Sequence, residues 1–186
     1  MTSEWTGARR SAARDRILQV AAEQFAEHGG DVSMSDIAAA AGCSRATLYR
    51  HFDSRTALQL AYIAQVAGEI SATIETRLAG IDDGPERITE GVLIALAEVR
   101  SDPALTAWFT SAGAGLTSEL ALSSDSVGAI TTAFTRDATA AGWTVRVLVS
   151  LLIVPSSADE ERTMIERFVT PTLRTDSAAS PGVASS

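Results

Sequence analysis

Apolar residues along this chain recur at helical spacing, and no stretch shows sustained in-and-out alternation with β-branched residues. Ile17, Ala21 and Phe25 fall at i, i+4 and i+8, and Leu18 and Ala22 widen the stripe, so Ser11 to His28 predicts one amphipathic helix. His28 stands in the last turn, where a helix favours positive charge, and Gly29-Gly30 can supply a left-handed stop. Ser33 opens a second helix with Asp36 as its capping-box partner. Gly42 interrupts it after Ala41, Ser44 can cap a third helix through Phe52, and Asp53-Ser54 break and recap. A long fourth helix is predicted from about Arg55 to Leu78.

Gly80 to Pro85 reads as a turn. Helical patterns follow at about 86–100, 103–112, 117–140, 142–154 and 158–170, punctuated by Pro103, Gly113 and Gly115, Gly142 and Pro155. Pro171 should end or kink the last of them. The expected fold class is all-α, with about nine helices: a three-helix head in residues 1–56, a helical body in 57–174, and a Ser/Ala/Pro/Gly-rich tail in 175–186 expected to be disordered.

Composition narrows the function. With 46% hydrophobic and 20% charged residues, the 186-residue chain can bury a core. One cysteine, Cys43, allows no intrachain disulfide, and with only His28 and His51 beside it a closed Cys/His zinc site cannot be assembled. No metal or cofactor is expected. Cys43 reads as a small hydrophobe ahead of a redox sensor. The N-terminal stretch is polar and arginine-bearing, unlike a secretory signal. The most apolar run, within Val145 to Val154, falls short of the ~20 residues a bilayer span needs, so a cytoplasmic protein without membrane contact is expected. The net charge of −8 opposes nucleic-acid binding only until it is located. Residues 1–56 hold seven arginines and seven acids and are neutral; the whole excess lies in the body.

The segment Ser33 to Phe52 has the length grammar of a helix-turn-helix: a short helix, a glycine turn, a second short helix. Ala38 is small where two helices must cross, and Gly42 can take positive φ in the turn. Ile37, Leu48 and Phe52 can point back onto the first helix. Arg45, Thr47, Tyr49, Arg50 and His51 then remain outward, an acid-free face suited to the major groove. An exposed polar face with no ligand is the plainer alternative; cap, turn, apolar register and charge together favour DNA.

Residues from about 14 to 60 resemble the N-terminal signature of tetracycline-repressor-family regulators. The shared features are Leu18, Ala21, Ala22, Phe25 and Gly29 in the first helix, then Asp36-Ile37-Ala38, Ala41-Gly42, and Thr47-Leu48-Tyr49 with His51-Phe52. The resemblance implies a DNA-binding transcriptional regulator, by default a repressor, and places Arg45, Ala46, Thr47, Tyr49 and His51 at the DNA. Arg45 is the candidate for bidentate guanine recognition, Thr47 for a phosphate and a thymine methyl, and Tyr49 and His51 for the backbone. Ser44 caps this helix beside them, and Met34 and Ser35 would add phosphate contacts through the second helix's N-terminus. Arg55, where the family usually has lysine followed by glutamates, stands on an unneutralised helix start and would point at a phosphate. Arg9, Arg10 and Arg14 form either an arm toward the DNA or a solvated tail.

In the body, Leu58, Leu60, Ile63, Val66, Ile70 and Ile74 of the fourth helix should tie the head down. Val145, Leu148, Val149, Leu152, Ile153, Ile165, Phe168 and Val169 exceed what one face of a small body needs. The surplus predicts a homodimer through a four-helix bundle, reading a pseudo-palindromic double-stranded operator. Trp108, Phe109 and Phe134 sit among small residues, and with Ile70 and Leu96 they are the candidates for framing an effector pocket. With few polar groups nearby, an apolar or amphipathic small molecule is expected. Neither a Gly-x-Ser-x-Gly elbow, a His-Glu-x-x-His nor a phosphate loop occurs, so an enzyme is not expected. A helical dimeric interaction protein without an operator is the remaining alternative.

Overall fold

The computed structural model describes residues 2–110 and 114–173, so the tail expected at 175–186 lies outside the described residues. Among them are ten α-helices and no strand: α1 Thr2–His28, α2 Met34–Ala40, α3 Arg45–His51, α4 Arg55–Arg77, α5 Pro85–Ser101, α6 Pro103–Thr110, α7 Ala114–Ser123, α8 Asp125–Thr135, α9 Ala138–Ile153 and α10 Ala158–Met164. A π-helical turn, Ile165–Val169, continues α10. No helix among the described residues is long and apolar enough to cross a membrane.

Local chemistry sets the head's boundaries. The hydroxyls of Ser33, Ser44 and Ser54 accept from the backbone N–H groups of Asp36, Thr47 and Ala57, capping α2, α3 and α4. At Ser33 the reciprocal half differs from a full capping box: the Asp36 carboxylate takes the Ser33 hydroxyl at 2.6 Å. Gly29 and Gly42 have φ of 76° and 65°, the left-handed turns after α1 and α2 that a side chain would disfavour.

The helices depart from the predicted pattern in three places, two in the body and one at the N-terminus. The stretch 117–140 is broken after Ser123, because the buried Ser124 caps α8 by accepting from Val127 N–H, and again before Ala138, where α9 begins. Gly142 does not punctuate; Asp137 caps α9 upstream, and the helix runs straight through it. At the N-terminus, α1 begins at Thr2 rather than Ser11, so the segment carrying Arg9 and Arg10 is helical backbone instead of a loose arm.

One core joins head to body. Ile17, Ala21 and Phe25 of α1 pack with Ile37, Leu48 and Phe52, as the apolar register predicts, and the same cluster takes in Leu58, Tyr62 and Ile63 of α4 and Trp108 of α6. A second cluster holds Val92 and Leu96 of α5 against Leu151, Ile165 and Val169, and a third gathers Phe109, Val145 and Val149. The apolar surplus of the C-terminal helices is therefore smaller than expected. Val145, Val149, Ile165 and Val169 are buried within their own chain. Ile153 and Phe168 remain exposed at 43% and 60%, joined by Trp143 at 47% and Val154 at 69%.

Candidate nucleic-acid interface and cavity

Leu48 is the inward anchor of α3, with no exposed surface. Fixing that one position turns Arg45, Ala46, Tyr49 and Arg50 outward, all exposed, with Thr47 and His51 half-buried at the flanks. No ion pair holds Arg45 or Arg50 among the described residues, so both guanidinium groups are available to an external anion. Thr47 Oγ1 lies 3.0 Å from Ser44 Oγ, which steadies the first turn of α3 from its own side chains.

Two expectations at this face need correction, at Arg55 and Arg14, and the one at Met34 is narrowed to its backbone. The Met34 side chain is buried in the head core, so only its backbone N–H at the start of α2 can meet a phosphate; Ser35 is half-exposed beside it. Arg55 is not a free cation on a bare helix end. Its Nη1 donates to the Asp31 carbonyl at 3.0 Å and lies 3.5 Å from the Asp31 carboxylate, so it fastens the α1–α2 loop to α4. Arg14 stacks its guanidinium over the Phe52 ring at 5.0 Å, a contact that the sequence pattern had not assigned. Cys43 is half-buried against the head core, where a small hydrophobe fits.

Behind the head, polar and aromatic contacts lock α1, α4 and α6 together. Gln59 is buried and donates to the Gly30 carbonyl at 3.0 Å. Tyr62 donates to the Asp102 carboxylate at 2.6 Å, and the other Asp102 oxygen accepts from Leu105 N–H at the start of α6. Burial, then the neighbouring Asp102, pushes the Tyr62 phenol well above its ordinary range, so it stays a donor. Trp108, expected at a pocket, instead packs edge-on against Phe25 and Tyr62, with centroids 4.8 and 5.8 Å apart. Leu96 is likewise packed into the core between α5 and α9, with Val92, Leu151, Ile165 and Val169.

The cavity lies further along α4. It has a volume of about 320 Å³ and is walled by α4, α5, α8 and α9, with contributions from α6 and α7. Ile70, Phe109 and Phe134 are among its lining residues. Much of the rest of the wall reads from sequence as something other than a cavity: Ile63, Val66 and Ile74 of α4 as the tie to the head, and Leu148 and Val149 of α9 as a dimer face, with Ile130 of α8 unmarked. Their helical spacing reads as ordinary core, and nothing local marks the void between them. The wall is overwhelmingly aliphatic and aromatic. Its hydroxyls on α8 and α9 already donate within their own helices, Thr131 to Val127 O and Thr144 to Ala140 O, each at 2.8 Å.

An outward basic helix on a capped three-helix head, joined through one core to a helical body with an apolar cavity, defines the class of a DNA-binding regulator. The model of bacterial regulatory proteins of the tetR family matches residues 17–62, which hold α2, α3 and the apolar stripe beneath them. Over 189 residues, covering 95% of this chain and 94% of the relative, it is 39% identical to the uncharacterized HTH-type transcriptional regulator Rv1255c of Mycobacterium tuberculosis. The chain belongs to the tetR family of transcriptional regulators. Its fold is similar to that of RolR solved with resorcinol, with a TM-score of 0.69 at 18% identity over 92% of each chain. It is also similar to AlkX of Dietzia sp., a repressor implicated in n-alkane biodegradation, with a TM-score of 0.58 at 24% identity over 86% of this chain and 94% of that one. The protein is a DNA-binding regulator and not an enzyme.

Proposed function

We propose that the chain is a homodimeric repressor, released from a pseudo-palindromic operator when a small apolar or amphipathic molecule enters the cavity. The division of labour is a reading head in residues 1–56 and a sensing and dimerising body in 57–174. The observation that carries this reading is the double role of α4. Its first turns pack under the helix-turn-helix through Leu58 and Gln59, and its later turns, from Ile63 to Ile74, form one wall of the cavity. A ligand that favours a different position of α4 therefore acts directly on the head. Moving the equilibrium from 1:99 to 99:1 would take about 5.5 kcal/mol of differential binding.

The exposed Trp143, Ile153, Val154 and Phe168 on α9, its C-terminal end and the π-helical turn supply the apolar face for a second copy. Arg45 is the base-reading side chain, with Ser44, Ala46, Thr47, Tyr49, Arg50 and His51 around it and the α2 N-terminus, at Met34 and Ser35, on the backbone. The names RolR and AlkX carry, resorcinol and n-alkanes, belong to those proteins; the wall of this cavity independently calls for a largely apolar guest. The test is selection of DNA from a random pool followed by sedimentation of the complex. A two-fold consensus holding two copies is expected. A single half-site held by one copy would contradict the dimeric reading.

A further inference from the structure

We infer that Arg14 of α1 holds a backbone phosphate of the DNA beside the base pairs that α3 reads, which makes α1 a third contacting element of the head. This rests on the proposal that α3 is the DNA-reading helix. Arg14 is exposed, and its guanidinium group stands 5.0 Å from the centre of the Phe52 ring. Phe52 is the C-terminal cap of α3 and is buried in the head core, so the cation is fixed to the end of the reading helix. A ring face attracts a cation without offering it a lone pair. Arg14 makes no hydrogen bond or ion pair among the described residues, although Asp15 and Asp53 each adjoin one member of the stack in sequence. Its five N–H donors therefore remain for an outside acceptor.

The direction of α1 puts that cation on the side of the head away from the body. Phe25 is where α1 meets the body, against Tyr62 and Trp108. At about 1.5 Å per residue, Arg14 stands roughly 16 Å beyond Phe25 along the helix. Ile17, Leu18 and Ala21, which lie between them, share a core with Leu48 and Phe52 of the α3 segment. Arg50 and His51 occupy the last turn of α3, so Arg14 carries the basic character of that end across onto α1. A helix laid in the major groove has the sugar-phosphate strands at its flanks, where the rest of the head crosses the backbone. A guanidinium group already held by a ring meets a phosphate there with little further loss of side-chain freedom. Such a contact sets the register of the protein on the duplex and reads no base.

The experiment is fluorescence-anisotropy titration of the full chain over a salt series, on the duplex selected from the random pool and on a scrambled duplex of the same length. Wild type is compared with Arg14→Gln and with Arg14→Met, which keeps the alkyl stem over Phe52 and loses the charge. Loss of one phosphate contact lowers the slope of log affinity against log salt by about 0.9 per protomer, and at about 0.15 M salt it weakens binding roughly 5-fold per protomer. Both variants should show both changes on both duplexes, with the preference for the selected duplex unchanged. An unaltered slope overturns the inference, and a lowered melting temperature beside it would assign Arg14 to bracing α3 instead. Loss of preference for the selected duplex also overturns it, because Arg14 would then read a base. In either case α3 stands as the reading helix. If the wild-type chain binds neither duplex at low salt, the reading of α3 falls and the inference with it. Either variant decides the matter alone if the other does not fold.

Discussion

The ring of Phe134, at the end of α8, rests directly on the bare backbone of Gly91 in the middle of α5. A Cβ built on Gly91 would lie inside contact distance of three ring atoms, including 2.9 Å from Cε2. Both residues line the cavity. Glycine inside a helix costs about 1 kcal/mol against alanine, and here it opens the space into which the aromatic edge settles. Gly91→Ala should therefore push the ring aside rather than stabilise α5. The expected net change is a loss of about 1 kcal/mol in a denaturant titration, the overpacking cost exceeding the propensity gain. Affinity for 1-naphthol, a fluorescent probe of the cavity, should fall with it, while DNA binding without ligand is retained.

If a cavity ligand releases DNA, linkage requires DNA to weaken the ligand by the same factor. The operator-bound protein should bind 1-naphthol more weakly than the free protein, by the ratio in which 1-naphthol lowers operator affinity. Parallel titrations with and without saturating operator check this. Equal probe affinity in the two states would remove release by this molecule from the account.

Trp108 serves the head rather than the cavity. Trp108→Ala should cost about 3–5 kcal/mol, the usual range for emptying an aromatic site in a core. The damage should appear as loosened packing of α1, seen in hydrogen exchange at Phe25 and its neighbours. Phe109→Ala, one residue on, should instead change probe binding, because Phe109 lines the cavity.

Glu161 is 3% exposed and receives Arg100 through two nitrogens, at 2.7 and 2.8 Å, while Arg100 also donates to the Leu151 carbonyl. The pair clamps α10 and the end of α9 to α5. The Arg100 hydrogen bonds hold the Glu161 carboxyl below its ordinary value of 4.5 despite its burial. A depressed acid contributes stability that is complete above about pH 4.5 and is lost as pH falls through the lower folded value. Glu161→Gln should thus destabilise by about 2 kcal/mol at pH 7, less than a fully buried pair because Arg100 is partly solvated. Melting curves of the two proteins should converge as the pH falls through the lowered folded-state value of Glu161.

The head was legible in the sequence because its signals are local. Ser33, Ser44 and Ser54 cap where serine before a helical pattern should cap, Gly42 turns where two short helices meet, and Leu48 alone fixes which side of α3 faces out. The body was less so, for a physical reason. Trp108 and Phe109 are adjacent on one helix, yet one fills a core and the other lines a void, and only the placement of α1 and α9 decides which. The Arg55–Asp31 contact, spanning the chain from α4 to the loop before α2, is likewise tertiary. Met34 starts α2, as its place after Ser33 predicts, and its side chain follows the apolar register into the core.

In the proposed function α3 reads DNA through Arg45. Its most direct test is fluorescence-anisotropy binding to the DNA upstream of the protein's own gene, across a salt series, for wild type and Arg45→Ala. Salt-dependent specific binding is expected, with the variant about 5- to 150-fold weaker on the specific site, the range a lost bidentate base contact implies, and little changed on non-specific DNA. A folded protein that binds no DNA at low salt, or an Arg45→Ala variant with undiminished sequence preference, would contradict it.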